Sequence, residues 1–170
     1  VNKLKRALND HQVQLSETDL SRVEVYIGDV SHRYLGLNDT RWRELVDRVT
    51  HIFHSAAVVH LTRAYEELAP TNVDGLCHVL ELQRSGPQKV LNYCSTLSVF
   101  VSTDQNRGSL YEEDDLLGVG QVYGGYAQSK WVAERILWEF DEGQAPVRIF
   151  RLGLLIAHSV THISSAHDYL

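Results

Sequence analysis

The sequence predicts an α/β domain, a parallel sheet with helices on both faces. Segments of strand-like and helix-like periodicity alternate through the middle and end of the chain. Parallel strands joined by helical crossovers are what that alternation builds. The 170 residues, 44% hydrophobic and 22% charged, suit one soluble globular domain and argue against disorder.

Taken in order, an opening helix is expected around Leu4 to Leu8. Val23-Glu-Val-Tyr-Ile-Gly-Asp29 alternates apolar and polar residues, as a strand does. A helix begins at Asp39-Thr-Arg-Trp42, with Trp42, Leu45, Val46 and Val49 on one face and Asp39 or Thr40 as N-cap. An apolar strand follows over His51-Ile-Phe-His-Ser-Ala-Ala-Val58. The next helix has Val73, Leu76, Cys77 and Leu80 as its stripe and stops at Gly86-Pro87. A strand runs over Lys89-Val-Leu-Asn-Tyr-Cys-Ser-Thr96. A helix from about Tyr126 to Phe140 turns Ala133, Ile136, Leu137 and Phe140 inward, and the last strand is Val147-Arg-Ile-Phe-Arg-Leu152. The long connection from Val101 to Tyr123 holds Gly108, Gly118, Gly120 and the acidic run Glu112-Glu-Asp-Asp115. A connection of that length inside a domain is usually functional, and the Gly118–Gly120 stretch reads as flexible active-site loop.

A net charge of −6 and a pI near 5.8 disfavour nucleic-acid binding. No apolar run approaches the roughly 20 residues of a membrane span, so no membrane partner is expected. Cys77 and Cys94 are too few for a disulfide framework and point to a reducing, cytoplasmic setting. The chain contains no Met and starts at Val1, so it is expected to be a piece of a longer product.

The sharpest chemical signal is Gly124-Gly-Tyr126-Ala-Gln-Ser-Lys130 at the start of the last of these helices. Tyr126 and Lys130 lie one helical turn apart and share a face. A tyrosine hydroxyl titrates near pH 10, so it is a poor acid or base at neutral pH unless the phenolate is stabilised. An ammonium one turn away does this electrostatically. Upstream, the strand ending in Cys94-Ser-Thr96 places Ser95 and Thr96 where ligands of parallel sheets bind, and either hydroxyl could bond a substrate carbonyl. Nine histidines raise the question of a metal, but His51 and His54 fall on opposite faces of a strand. His158, His162 and His167 have only Asp168 beside them, so no metal is expected. Trp131 and Trp138 read as packing, and Cys94 as a small core residue.

Strand-Ser-Thr, about thirty residues, then Tyr-x-x-x-Lys resembles the extended short-chain dehydrogenase/reductases. Gly28-Asp29-Val30, His54-Ser-Ala-Ala57 and Thr71-Asn72-Val-Asp-Gly75 match in order. Leu35-Gly-Leu, Asp39-Thr-Arg-Trp-Arg, Tyr65-Glu-Glu-Leu, Ser95-Thr-Leu-Ser-Val-Phe100, Gly125-Tyr126-Ala-Gln-Ser-Lys-Trp-Val-Ala-Glu134 and Phe150-Arg-Leu-Gly153 resemble one branch, the thioester reductase domains. Those end nonribosomal peptide synthetases, carboxylic acid reductases and aminoadipate reductases.

The resemblance implies a partial Rossmann-like domain over residues 1–170 that lacks the first βαβ phosphate-binding unit and most of the C-terminal substrate region. It implies Tyr126 as proton donor to the forming alkoxide, Lys130 lowering its pKa and holding the nicotinamide ribose, and Thr96 orienting the carbonyl. Asp29 would contact the adenine, and Ala56 and Ala57 would line the dinucleotide path. Asn72 would sit near the active-site backbone, with Ser95 and Arg151-Leu152-Gly153 also at the cofactor. Leu152 stands where the family usually has proline. The implied cofactor is NADP(H), the substrate a phosphopantetheine thioester on an acyl or peptidyl carrier protein, and the product an aldehyde or, after a second reduction, an alcohol. Two alternatives stay open: another extended reductase or nucleotide-sugar epimerase or dehydratase, and a non-catalytic module that binds a carrier protein or nucleotide.

Overall fold

Three parallel strands make the sheet, in the order β1 (His51–His54), β2 (Val90–Thr96), β3 (Val147–Leu152). The structure is a computed structural model and describes residues 2–102, 116–140 and 145–164. In the central strand Leu91 pairs with Ile52 on one side and Val147 on the other, while Thr96 pairs with Leu152. The remaining helices are α1 (Asn2–Asp10), α2 (Glu17–Ser21), α3 (Asp39–Arg48), α4 (Tyr65–Ala69), α5 (Gly75–Arg84) and α6 (Gly125–Phe140). Two compact units are distinguished, one of residues 28–152 and one of residues 1–27 with 153–170. The sheet and α3 to α6 all belong to the first.

The crossover from β1 to β2 runs through α4, a π turn over Pro70–Asp74, and α5. Proline has no N–H to continue the α ladder, and the wide turn instead sends the Gly75 N–H to the Pro70 carbonyl. The crossover from β2 to β3 runs through α6. Leu76, Val79 and Leu80 of α5, Leu91 and Tyr93 of β2, and Ala133 and Leu137 of α6 form one core cluster. Leu91 and Tyr93 share one face of the strand, so both helices pack on that face.

α5 and α6 cover this one face of the three strands. Two right-handed crossovers that step in the same direction across a sheet lay their helices on the same side. The opposite face carries Phe53, 73% exposed, and Phe150, 45% exposed.

Other elements differ from expectation for local reasons. Val23–Asp29 forms no strand, and Ile27 is 93% exposed, because its alternation meets no neighbouring ladder among the described residues. β1 stops at His54 instead of reaching Val58, whose N–H is taken by the Asn72 side chain. The α3 cap is Asn38, not Asp39 or Thr40: its Oδ1 accepts the Arg41 N–H at 3.0 Å. Trp42 is buried as expected and stacks on Tyr34 at 4.9 Å. On α5, Cys77 lies past the edge of the stripe and is exposed, while Val79 is buried. Trp138 is on the exposed side of α6. The opening helix, the α6 span and the last strand fall where periodicity puts them. The acidic run Glu112–Asp115 lies outside the described residues.

Candidate active site

Parallel sheets bind ligands beyond the carboxyl ends of their strands, and β1, β2 and β3 end together at His54, Thr96 and Leu152. Thr96 is also the cap of the 3₁₀ turn Leu97–Phe100. Its Oγ1 accepts the Ser98 N–H at 3.2 Å and donates to Ser98 Oγ at 3.2 Å, which fixes the hydroxyl at the strand end. The N-terminal half of α6 reaches this edge by packing against the 97–100 and 70–74 turns. Gly125 permits it: a Cβ there would stand 2.4 Å from the Arg63 carbonyl oxygen and 2.6 Å from Ala64 C. Only glycine lets the backbones pass that closely.

Tyr126 follows, half-buried, and its hydroxyl has no partner among the described residues. One turn on, Lys130 is buried. Its ammonium donates to the Cys94 carbonyl at 2.8 Å and to the Tyr93 hydroxyl at 3.3 Å, and it lies 4.6 Å from the Tyr93 ring centre. Burial lowers the Lys130 pKa to about 8, partly opposed by Cys94 and Glu134. Burial pushes the Tyr126 hydroxyl up. Lys130 makes its two bonds to the β2 end and none to the Tyr126 hydroxyl.

The other expected residues divide into two groups. Asp29 is exposed, accepts Ser31 N–H at 2.9 Å and Ser31 Oγ at 2.7 Å, and these bonds hold its carboxyl below the usual range. Ala56 is exposed and Ala57 half-buried just past β1, leaving open backbone beside the strand end. Leu152, 40% exposed, closes β3 opposite Thr96, and Gly153 beyond it is exposed and belongs to the other compact unit.

The second group is turned inward. Asn72 is buried; its Oδ1 accepts the Val58 N–H at 2.7 Å, and its Nδ2 donates to Val58 O at 3.0 Å and Ser129 Oγ at 2.9 Å. It fixes the segment after β1 to α6, so its amide is a scaffold for the site. Ser95 faces the helices because strand faces alternate, and its hydroxyl donates to Glu134. Arg151, on the same face, donates from Nε to Glu134 at 2.9 Å. Both side chains thus converge on Glu134 on the helix-covered face of the sheet.

Three residues of this region were given no role at the site by sequence. His54 is buried with its ring centre 5.6 Å from that of Tyr93, and its Nε2 has no partner among the described residues. Burial, with the Lys130 charge behind it, lowers its pKa to about 4. Tyr93 and Glu134 are the other two. The usable signals were period 2 from Ser95 back to Tyr93 and the one-turn step from Lys130 to Glu134. The Gly118–Gly120 stretch borders a different space: Val119 to Val122 line a cavity of about 580 Å³ with Tyr65, Gln128 and Trp131.

Comparison with known proteins agrees with this geometry. The model of an NAD-binding family described as male sterility protein matches residues 1–170. The chain belongs to this family. It is 32% identical to the non-canonical nonribosomal peptide synthetase hkm10 of Aspergillus hancockii, over 99% of this chain and 17% of that protein. It is 35% identical to a carboxylic acid reductase of Segniliparus rugosus, over 89% of this chain and 13% of that protein. A solved terminal R domain from the myxalamid PKS-NRPS pathway superposes with a TM-score of 0.83 at 32% identity, covering 93% of this chain and 40% of that one. The chain spans under half the length of these relatives.

Proposed function

We propose that this chain forms the cofactor-facing part of a reductase that uses NADPH to convert a carrier-bound acyl thioester to an aldehyde. The observation that carries the reading is the half-buried Tyr126 hydroxyl, without a partner among the described residues, one turn before a buried ammonium at the strand ends.

A nicotinamide cofactor fits these residues. The Lys130 ammonium has three protons and uses two, on Cys94 O and Tyr93, leaving one for a ribose hydroxyl. Small Ala56 and Ala57 allow close approach past β1, and the exposed Asp29 carboxylate would contact the adenine. When bound, the reduced nicotinamide supplies a hydride. Tyr126 would donate a hydrogen bond to the thioester carbonyl oxygen, and Thr96 would do so once its hydroxyl proton turns from Ser98 Oγ, the two stabilising the charge that gathers there. Collapse of the tetrahedral species expels a thiolate, which takes a proton to become free phosphopantetheine thiol, and leaves an aldehyde. Tyr126 protonates an alkoxide only if the aldehyde is reduced again.

The carrier protein as partner is supported by the likeness to peptide synthetase relatives, and NADPH by the resemblance of the Gly125–Glu134 stretch to the thioester reductase domains. The sequence between Val101 and Tyr123 adds a charge argument against a nucleotide-sugar. It carries Asp104, Glu112, Glu113, Asp114 and Asp115 against one cation, Arg107, a balance that repels a diphosphate. The test presents the intact protein with a phosphopantetheine thioester and with a nucleotide-sugar while following NADPH absorbance. Consumption with the thioester is expected, and turnover of the nucleotide-sugar alone contradicts the reading.

A further inference from the structure

Glu134 lies on α6 one turn beyond Lys130, and its carboxylate is fully buried. Ser95 Oγ donates to Oε1, while Arg151 reaches Oε2 from Nε at 2.9 Å and from Nη2 at 2.8 Å. The Arg151 guanidinium in turn lies 4.9 Å from the ring centre of Phe100, in the turn that Thr96 caps. One carboxylate thus ties α6, the residue before Thr96, and the β3 residue before the one that pairs with Thr96.

Stability alone is a poor reason for such a cluster. Buried ion pairs lose much of their Coulomb energy to desolvation, and apolar replacements of similar shape often stabilise. What this cluster has that an apolar core lacks is directional bonding between β3 and the two elements that carry Thr96, Tyr126 and Lys130, together with a negative charge near the lysine.

We propose that Glu134 is a positioning residue for the reductase site, holding the Thr96 strand end and the Lys130 helix in one fixed relation and keeping Lys130 charged. The proposal rests on the roles given above to Thr96, Tyr126 and Lys130. Around Lys130 the titratable groups are Tyr93 and Cys94 from β2, His54 from β1, and Tyr126 and Glu134 from α6 itself. His54 is neutral above about pH 4. Tyr93 is held protonated by burial. The groups that raise the Lys130 pKa against burial are Cys94 first and Glu134 second, and Glu134 is the carboxylate of the two.

The test is Glu134→Gln in the intact protein. Glutamine keeps the shape, accepts from Arg151 and can donate to Ser95 Oγ, so the fold is expected to persist while the charge is lost. NADPH affinity is measured against pH by fluorescence titration, with thermal unfolding and steady-state kinetics beside it. The pH above which affinity falls should move down by about half a unit or more. kcat should drop about tenfold or more, with a smaller change in KM for the thioester. A Glu134→Leu, Arg151→Leu double variant removes the whole ion pair and separates packing from charge: it should lose the same activity even where its melting temperature matches the parent. Unaltered pH dependence and kcat in Glu134→Gln would overturn the proposal and leave a structural ion pair. Lys130→Ala in parallel tests the underlying reading. If that variant binds NADPH as tightly as the parent, the role of Lys130 fails, and the Glu134 proposal fails with it for a distinguishable reason.

Discussion

The Lys130 ammonium sits 2.8 Å from the carbonyl oxygen of Cys94, on the strand whose next residues are Ser95 and Thr96. The catalytic helix and the central strand are therefore joined at the point where a ribose would bind, and the charge on Lys130 depends on how well that joint offsets burial. With its pKa lowered to about 8, the lysine loses its proton near the top of the physiological range. NADPH affinity of the intact protein should fall as pH rises through about 8, checked by titration at a series of pH values. The linked effect on folding has the opposite sense. The unfolded lysine keeps its proton up to about 10.5, so between about 8 and 10.5 this group makes the fold more stable as pH rises.

Tyr126→Phe removes a hydroxyl that has no partner among the described residues, so unfolding and NADPH binding should barely change. A positioned acid contributes about 10²–10⁴-fold, roughly 3–5 kcal/mol of barrier. The larger loss is expected with an aldehyde substrate, because thiolate is a tolerable leaving group and thioester reduction leans less on proton donation. Steady-state rates on both substrates check this. Equal, undiminished rates would remove Tyr126 from the mechanism.

His54 gives the fold an acid limit. Its folded pKa of about 4 lies below the ordinary value of 6.5, so between these pH values the unfolded chain takes up a proton that the folded chain refuses. Stability is present above that window and is lost as pH falls through it, by up to about 3 kcal/mol. Denaturant unfolding from pH 7 to pH 4 should show this slope in the parent and a flatter one in His54→Gln. Parallel slopes would mean that His54 is not the group responsible.

Asn72 separates a scaffold role from a cofactor contact. Its amide satisfies the Val58 N–H and carbonyl and bonds Ser129. Asn72→Ala leaves these groups unpaired and should cost about 1–3 kcal/mol, read as a lower urea midpoint. Normal stability with lost NADPH binding would instead make Asn72 a direct ligand.

Much of this was legible in the sequence where local rules act alone. Val147–Leu152 and the helix ending at Phe140 follow from periodicity, and Tyr126 with Lys130 from one-turn spacing. Other features depend on partners distant in the chain. Val23–Asp29 has strand alternation but no ladder. Ser95 and Thr96 are chemically alike, yet strand alternation sends one to Glu134 and the other to the sheet end. Glu134 looks like an ordinary helix carboxylate until Arg151, seventeen residues on, is folded against it. Which face of the sheet the helices cover follows from the direction of both crossovers, and composition is silent on that.

The central claim is that hydride reaches a thioester carbonyl beside Thr96 and Tyr126. The most direct measurement is a single turnover of the intact protein with NADPH deuterated at the transferred position and an acyl phosphopantetheine thioester, followed by trapping of the aldehyde. Deuterium on the aldehyde carbon, with free thiol released in equal amount and both lost in a Lys130→Ala, Tyr126→Phe double variant, is the predicted result. NADPH oxidation without label in the aldehyde, or labelled aldehyde formed as fast by the double variant, would contradict it.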